Sequence, residues 1–443
     1  SVSGVFKWTK MGASAVLKPY ELLGILLVAF VGLQLNNTTD VAFVPPFFSP
    51  AETSVGGNQS TLEDDLDPAF KPKRSIRQLI MAQGFPYAKH AVVTDDGYIL
   101  SLHRLPNPGK PPVLILHGVL DSAITWVAMD RNHSLPFLLH KAGFDVWLGN
   151  CRGASPTDGH LHLSYSDPEF WDFNTDDVIA KDFPVLVNRV FNETGNSQIS
   201  FLGHSQGSLL GFTSFTSQNH EIARKISAFV ALAPVASFDK NPSWLDSVVP
   251  APQTIVEMAG SLSVMIAPRV FVFNAVRNYI IQPVCSVVPW FCVPFLCASA
   301  GCSLENWVSL ADGAWAMADL QRVFQSYPQE GSFGQVAQFA QWETSRKIAK
   351  FDYGAERNLA KYGTSTPPVY NVTDLSVPVA VFYGGHDTII PPERAEAGIR
   401  ALPSDKVKMV KKVTHYGHAE FVWGRESART VYPDIIQFFR EHG

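Results

Sequence analysis

One pentapeptide constrains this chain more than any other feature: Gly203-His204-Ser205-Gln206-Gly207, set between an apolar run, ISFL, and a helix-forming run, SLLGFTSF. A strand that turns into a helix within one residue leaves no room for flanking side chains, which accounts for Gly203 and Gly207. The same turn lifts Ser205 to the helix N-terminus, where unpaired amides favour a developing anion. The pentapeptide alone is a weak signal. With a strand before it and a helix after it, Ser205 becomes a candidate nucleophile.

The rest of the chain agrees with that local reading. PPVLILHG, DVWLGN, ISFLGHS, AFVALAPVA and VPVAVFYGGHD are continuous apolar runs, as expected of strands buried on both faces of a parallel sheet. AVVTDDGYILSLHRL alternates around Asp-Asp-Gly and predicts a β-hairpin. SIRQLIMAQG has helical spacing and stops at Gly84, and a second helical stretch runs over residues 174–194. KVKMVKKV and a terminal helix near residues 432–441 complete the pattern. Strands alternating with helices define an α/β chain with a mostly parallel sheet covered on both faces. Residues 237–374 break the alternation and read as an inserted, mainly helical cap. The expected organisation is an apolar N-terminal segment over 1–36, a linker over 37–74, core over 75–236, cap over 237–374 and core again over 375–443.

A serine nucleophile needs a base, and the base an orienting carboxylate. Where a G-x-S-x-G turn supplies the serine, the acid and then the histidine follow it in the chain. Asp387 ends the strand-like run VPVAVFYGGHD, at the strand's C-terminal end, where sites on such sheets form. Its bland reading is a turn cap. His415 and His418 compete as base in THYGHAEF, and spacing favours neither; His386 is a third candidate, poorly aimed beside the acid. An oxyanion needs two backbone N–H donors. Gln206, after the nucleophile, is one candidate; Val119, in the loop His117-Gly118-Val119, is the other. His117 reads as a loop-stabilising residue rather than a base. This chemistry calls for no metal and no organic cofactor.

Composition narrows the class. The 443 residues are 46% hydrophobic and 17% charged with net charge −5, and no long basic run exists, which argues against nucleic acid as a partner. Lys7, Lys10 and Lys18 precede an apolar run over residues 22–35, the pattern of an uncleaved signal anchor, and with it of membrane association, or of a cleaved secretory signal; its bland reading is a buried helix. Asn36, Asn37, Asn58, Asn132, Asn192 and Asn371 each begin an N-x-[ST] sequon. Of five cysteines, Cys285, Cys292, Cys297 and Cys302 crowd one segment without zinc-type spacing and read as disulfide formers of open pairing. Cys151 reads as a buried thiol. Residues 45–50 (PPFFSP), 56–60 (GGNQS) and the acidic stretch 63–67 belong to the linker.

From about Ser75 onward the chain resembles the acid lipase family, which includes gastric and lysosomal acid lipases. The matching stretches include VVTDDGYIL, LILHGVLDSAITW, GFDVWLGNCRG, EFWDF, FLGHSQGSLLGF, FDYG and YGHAEFVW. The resemblance implies the α/β-hydrolase fold with a lid-bearing cap. It selects His418 over His415 through the H-x-[DE]-F-[IV]-W pattern and supports Val119 as oxyanion donor. It implies hydrolysis of triacylglycerols, sterol esters or similar neutral lipid esters at a lipid/water interface. Glu420 stands where the family often has Asp, and the cap carries more cysteines than usual. Two other readings keep the same residues: a short-chain esterase or acyltransferase with the same triad, and a membrane-anchored structural subunit with a vestigial hydrolase fold.

Overall fold

The computed structural model describes residues 74–154, 158–238, 269–270, 297, 300–302 and 317–443. The apolar run at residues 22–35, the linker, Cys285, Cys292 and most of the expected cap lie outside them. Among the described residues no helix is long and apolar enough to cross a membrane.

A nine-stranded sheet organises the chain. Its eight main strands are β1 (Ala88–Val93), β2 (Tyr98–Leu105), β3 (Pro112–Leu116), β4 (Asp145–Gly149), β5 (Ile199–His204), β6 (Ile226–Leu232), β7 (Val379–Gly384) and β8 (Val407–Val413). Their order across the sheet is β1-β2-β4-β3-β5-β6-β7-β8, and a two-residue strand, Gly159–His160, adds to β2. The β1–β2 hairpin and the β2–β4 pair are antiparallel; the other main pairs are parallel. The expected α/β-hydrolase fold is therefore present, including the hairpin.

The apolar runs explain why the sheet is covered on both sides. Along β3, Val113 and Ile115 join one core, and Leu114 and Leu116 join the other. The first core is closed by α2 (Leu135–Lys141) and the C-terminal helix α7 (Tyr432–His442), through Phe137, Ile435 and Phe438. The second is closed by α3 (Phe183–Thr194) and α4 (Gln206–Ser214), through Phe183, Leu186, Leu209 and Phe212. The remaining helices used below are α1 (Ile76–Ala82), α5 (Phe333–Ser345) and α6 (Pro392–Ala401). In α1, Ser75 and Gln78 form a capping box, and Gly84 lies just past the end at φ 83°. Residues 174–194 begin with an Asn174 cap and pass through a π turn, Val178–Asp182, before α3.

Register decides where the site forms. Leu116 of β3 pairs with Gly203 of β5, and His204 pairs with Leu232 of β6. Leu232 in turn pairs with Phe382 of β7, and Gly384 with Val413 of β8. The loops after β3, β5, β7 and β8 thus leave the sheet along one edge.

A buried ion pair ties β4 to the α3 side. The Arg152 backbone N–H donates to Asp182 Oδ2 at 2.8 Å, and its Nε to Asp182 Oδ1 at 2.8 Å. The Arg152 side chain is 1% exposed and that of Asp182 0%. Arg152 also reaches Asp96 at 2.8 Å and stacks over Tyr98. Removing one partner of such a pair leaves a buried charge uncompensated. Asp182→Ala is expected to lower stability by about 3 kcal/mol, the lower part of the usual range because Asp96 remains. A urea midpoint equal to that of the parent protein would contradict this.

Candidate active site

The turn at Ser205 is as tight as the pentapeptide implies. Ser205 has φ 54° and ψ −118°, an unfavourable conformation for a side-chain-bearing residue. A Cβ on Gly203 would lie 2.2 Å from the Gly207 carbonyl, and one on Gly207 2.7 Å from the Leu116 carbonyl. Neither position can carry a side chain without displacing backbone. The Ser205 N–H donates to the Leu232 carbonyl at 3.0 Å, which anchors the turn to β6.

Asp387 lies three residues past β7 and is 3% exposed. Its Oδ1 accepts the N–H groups of Ile389 at 2.9 Å and Ile390 at 2.8 Å, so the carboxylate caps its own turn. Its Oδ2 is left for His418, whose Nδ1 lies 2.8 Å away. One carboxylate therefore both caps its turn and meets a histidine. A ring that donates from Nδ1 presents a bare Nε2, able to accept a proton. His415 is exposed and pairs with Glu426 at 3.0 Å, away from Asp387. His386 is exposed as well. Of the three histidines, only His418 meets the carboxylate.

Among the described residues no hydrogen bond joins Ser205 Oγ to His418. His204 links them instead: its Nε2 donates to the His418 carbonyl at 2.9 Å, and the two rings lie 4.8 Å apart. Burial pushes the His204 imidazole down to about 3, with His418 and His117 adding to the effect, so it stays neutral and keeps that donor. Catalytic hydrogen bonds are commonly slack before substrate binds.

The loop after β3 comes close to the serine. A Cβ on Gly118 would sit 3.1 Å from Ser205 Cβ. Val119 follows it, half-buried, with Leu120 at φ 54° next. Gln206 opens α4, where the first N–H groups have no partner within the helix. His117 holds the loop, as expected: its Nδ1 donates to the Gly118 carbonyl at 2.7 Å, and its Nε2 accepts from Cys151 N–H at 3.3 Å. Burial lowers the His117 pKa to about 4.

Three backbone contacts support these loops, and the sequence hinted at one of them. Glu420 Oε2 accepts the Gly417 N–H at 3.0 Å, shaping the turn that carries His418. Gln329 N–H donates to the Leu120 carbonyl at 2.9 Å. Gly301, in the loop bridged by Cys297–Cys302, accepts the His418 N–H at 2.7 Å. The H-x-[DE] pattern hinted at the first; no local signal could have given the other two. Cys151 is a buried free thiol.

The sheet order and its helices on both faces define an α/β-hydrolase fold. The comparisons narrow this further. The family described as a partial alpha/beta-hydrolase lipase region matches residues 76–130, and the alpha/beta hydrolase fold family matches residues 111–259. Lipase member K of Homo sapiens is 32% identical over 380 residues, covering 83% of this chain and 91% of its own length. Gastric triacylglycerol lipase of Homo sapiens is 32% identical over 401 residues, covering 88% and 96%. Lipase member N of Mus musculus is 29% identical over 407 residues, covering 89% and 96%. The chain belongs to the acid lipase family, and it is a lipase-type ester hydrolase.

A second carboxylate near the site carries a pH dependence. Asp121 is 6% exposed, and burial pushes its carboxyl up from 3.8 to about 7, although the Ser122 N–H and the Thr125 hydroxyl pull the other way. The folded state therefore keeps a proton that the unfolded chain has lost. Its contribution to stability is complete below the ordinary value of 3.8 and disappears as pH rises through about 7. Asp121→Asn is expected to melt higher than the parent at pH 8, by the equivalent of a few kcal/mol, with the gap closing towards pH 4. Thermal melts across that range test this; a gap independent of pH contradicts it.

Proposed function

We propose that Ser205, His418 and Asp387 form the catalytic triad of this lipase, with the Val119 and Gln206 N–H groups as its oxyanion hole. The observation that carries the reading is the buried His418–Asp387 bond at the sheet edge where the strained Ser205 turn also stands. His418 Nε2 takes the Ser205 proton as Oγ attacks the ester carbonyl. Asp387 holds the ring and balances the imidazolium. The oxyanion collects on the two N–H donors, and collapse expels the alcohol, protonated by His418. Water, activated by the same histidine, then frees the fatty acid from Ser205.

The substrates in this reading are long-chain neutral esters, triacylglycerols or sterol esters, met at a lipid/water interface. The naming of gastric triacylglycerol lipase among the relatives supports that class. So does the apolar composition of residues 284–296, which lie within the expected cap. The protein enters the secretory route in this reading. Its support is the Cys297–Cys302 bridge, which suits an oxidising compartment, and the exposure of the sequon residues Asn132, Asn192 and Asn371. Whether the apolar N-terminal run serves as an uncleaved membrane anchor is tested by carbonate extraction, which then leaves the protein with membranes.

Ser205→Ala and His418→Ala are each expected to reduce kcat by several orders of magnitude, on the order of 10⁶ in comparable triads, without adding when combined. His415→Ala is expected to be mild. An active His418→Ala with an inactive His415→Ala overturns the assignment. A fluorophosphonate is expected to label Ser205.

The substrate class has its own test. Trp290→Asp is expected to weaken hydrolysis of a long-chain triacylglycerol emulsion more than that of a soluble short-chain ester. Equal loss on both contradicts interfacial docking there. A parent enzyme that prefers the soluble ester marks a short-chain esterase.

A further inference from the structure

His418 is held by three contacts of different origin. Its Nδ1 meets Asp387 at 2.8 Å. Its carbonyl accepts from His204, in the Ser205 turn, at 2.9 Å. Its N–H donates to the Gly301 carbonyl at 2.7 Å. The third contact comes from the segment between β6 and β7, outside the sheet. Gly301 belongs to a short loop closed by the Cys297–Cys302 bridge, whose ends are five residues apart in sequence.

That loop is seated in the protein. Cys297, Ala300 and Cys302 are each 5% exposed and join the same core as Tyr416 and Ala419, which flank His418. Gly301 has φ 65°, and a Cβ there would lie 2.8 Å from His418 Cβ and 2.8 Å from Ile389 Cγ1. Ile389 is one of the two residues whose N–H groups donate to Asp387 Oδ1. One glycine thus lies against both the histidine and the turn that fixes the carboxylate. Only glycine fits, because the backbone is left-handed and the space for a side chain is taken.

We propose that Gly301, fixed by the Cys297–Cys302 bridge, is a positioning residue for His418; this rests on the triad reading above. His418 is 5% exposed, so without Gly301 its N–H loses a partner in a buried place. The bridge restricts the conformers open to the loop and keeps the Gly301 carbonyl aimed at that N–H. When the loop is freed, the imidazole is no longer fixed against Asp387. Displacement of a reacting group by about 1 Å costs on the order of 10² in rate. The loss falls on the chemical step, because Gly301 stands against His418 and Ile389 rather than at the serine.

The test uses two full-length variants, Cys297→Ala/Cys302→Ala and Gly301→Ala. The second keeps the bridge and introduces only the methyl that meets His418. Each is assayed on a soluble short-chain ester well below its melting temperature. The expected result for both is a kcat lower by roughly 10–100-fold with KM nearly unchanged. The low-field proton resonance of the His418–Asp387 hydrogen bond is expected to shift or broaden in both. A merely structural bridge would lower the melting temperature and leave kcat and that resonance alone. Unchanged kcat in either folded variant, or a change confined to KM, overturns the proposal. His418→Ala in the same assay separates the two readings. If it stays active, the triad assignment fails. If it is inactive while both loop variants keep the parent kcat, only the positioning role of Gly301 falls.

Discussion

The backbone at Ser205 is the constraint on which the rest of the site depends. A non-glycine residue at φ 54° and ψ −118° persists only where its surroundings over-determine it, at a cost of about 1–3 kcal/mol. The surroundings are specific. Gly203 and Gly207 let β5 and α4 touch, the β6 carbonyl of Leu232 takes the Ser205 N–H, and the β3 backbone closes over Gly207. Each depends on the central strands lying in register. The strain is therefore carried by the middle of the sheet, where both faces are buried and the strands are least free to move.

That dependence explains what could be read from the sequence. The strands around Ser205 are buried on both faces, so their runs are continuous and apolar, and the alternation of strand and helix follows from them. Gly203 and Gly207 are local steric requirements written at fixed offsets from the serine. Asp387 was legible as a candidate because it closes a strand-like run, three residues past the end of β7. His418 was harder: it lies past β8 in a turn where His415 stands three residues away, and spacing cannot say which ring faces inward. The answer depends on Glu420 gripping the Gly417 N–H and on Gly301 gripping that of His418, contacts at separations of three residues and over a hundred. The first falls inside a recognisable pattern. The second joins segments far apart in the chain, and no periodicity encodes such a pairing.

The cysteines illustrate the same limit. Four in one segment suggested disulfides, yet their pairing stayed open, because pairing is decided by three-dimensional approach. The Cys297–Cys302 bridge is the local solution, and its value lies in what the bridged loop touches. Asp121 and His204 were equally silent in the sequence: one is an aspartate near an apolar strand end, the other one of the two variable positions of the pentapeptide. Burial gives each a consequence, a carboxyl that holds its proton and an imidazole that stays neutral.

The segment between β6 and β7 touches the proposed site at two points. Gln329 holds the carbonyl of Leu120, next to Val119, and Gly301 holds the N–H of His418. The sheet alone sets the level at which the loops after β3, β5, β7 and β8 emerge; it does not hold their tips. A loop tip several residues beyond its strand is free to swing by more than the fraction of an ångström that proton transfer tolerates. Two backbone hydrogen bonds from a segment between β6 and β7 restrict that freedom, one beside Val119 and one at His418, where the proposed mechanism meets an oxyanion and a proton. The part of the chain expected to cover the site thus also contacts the loops after β3 and β8.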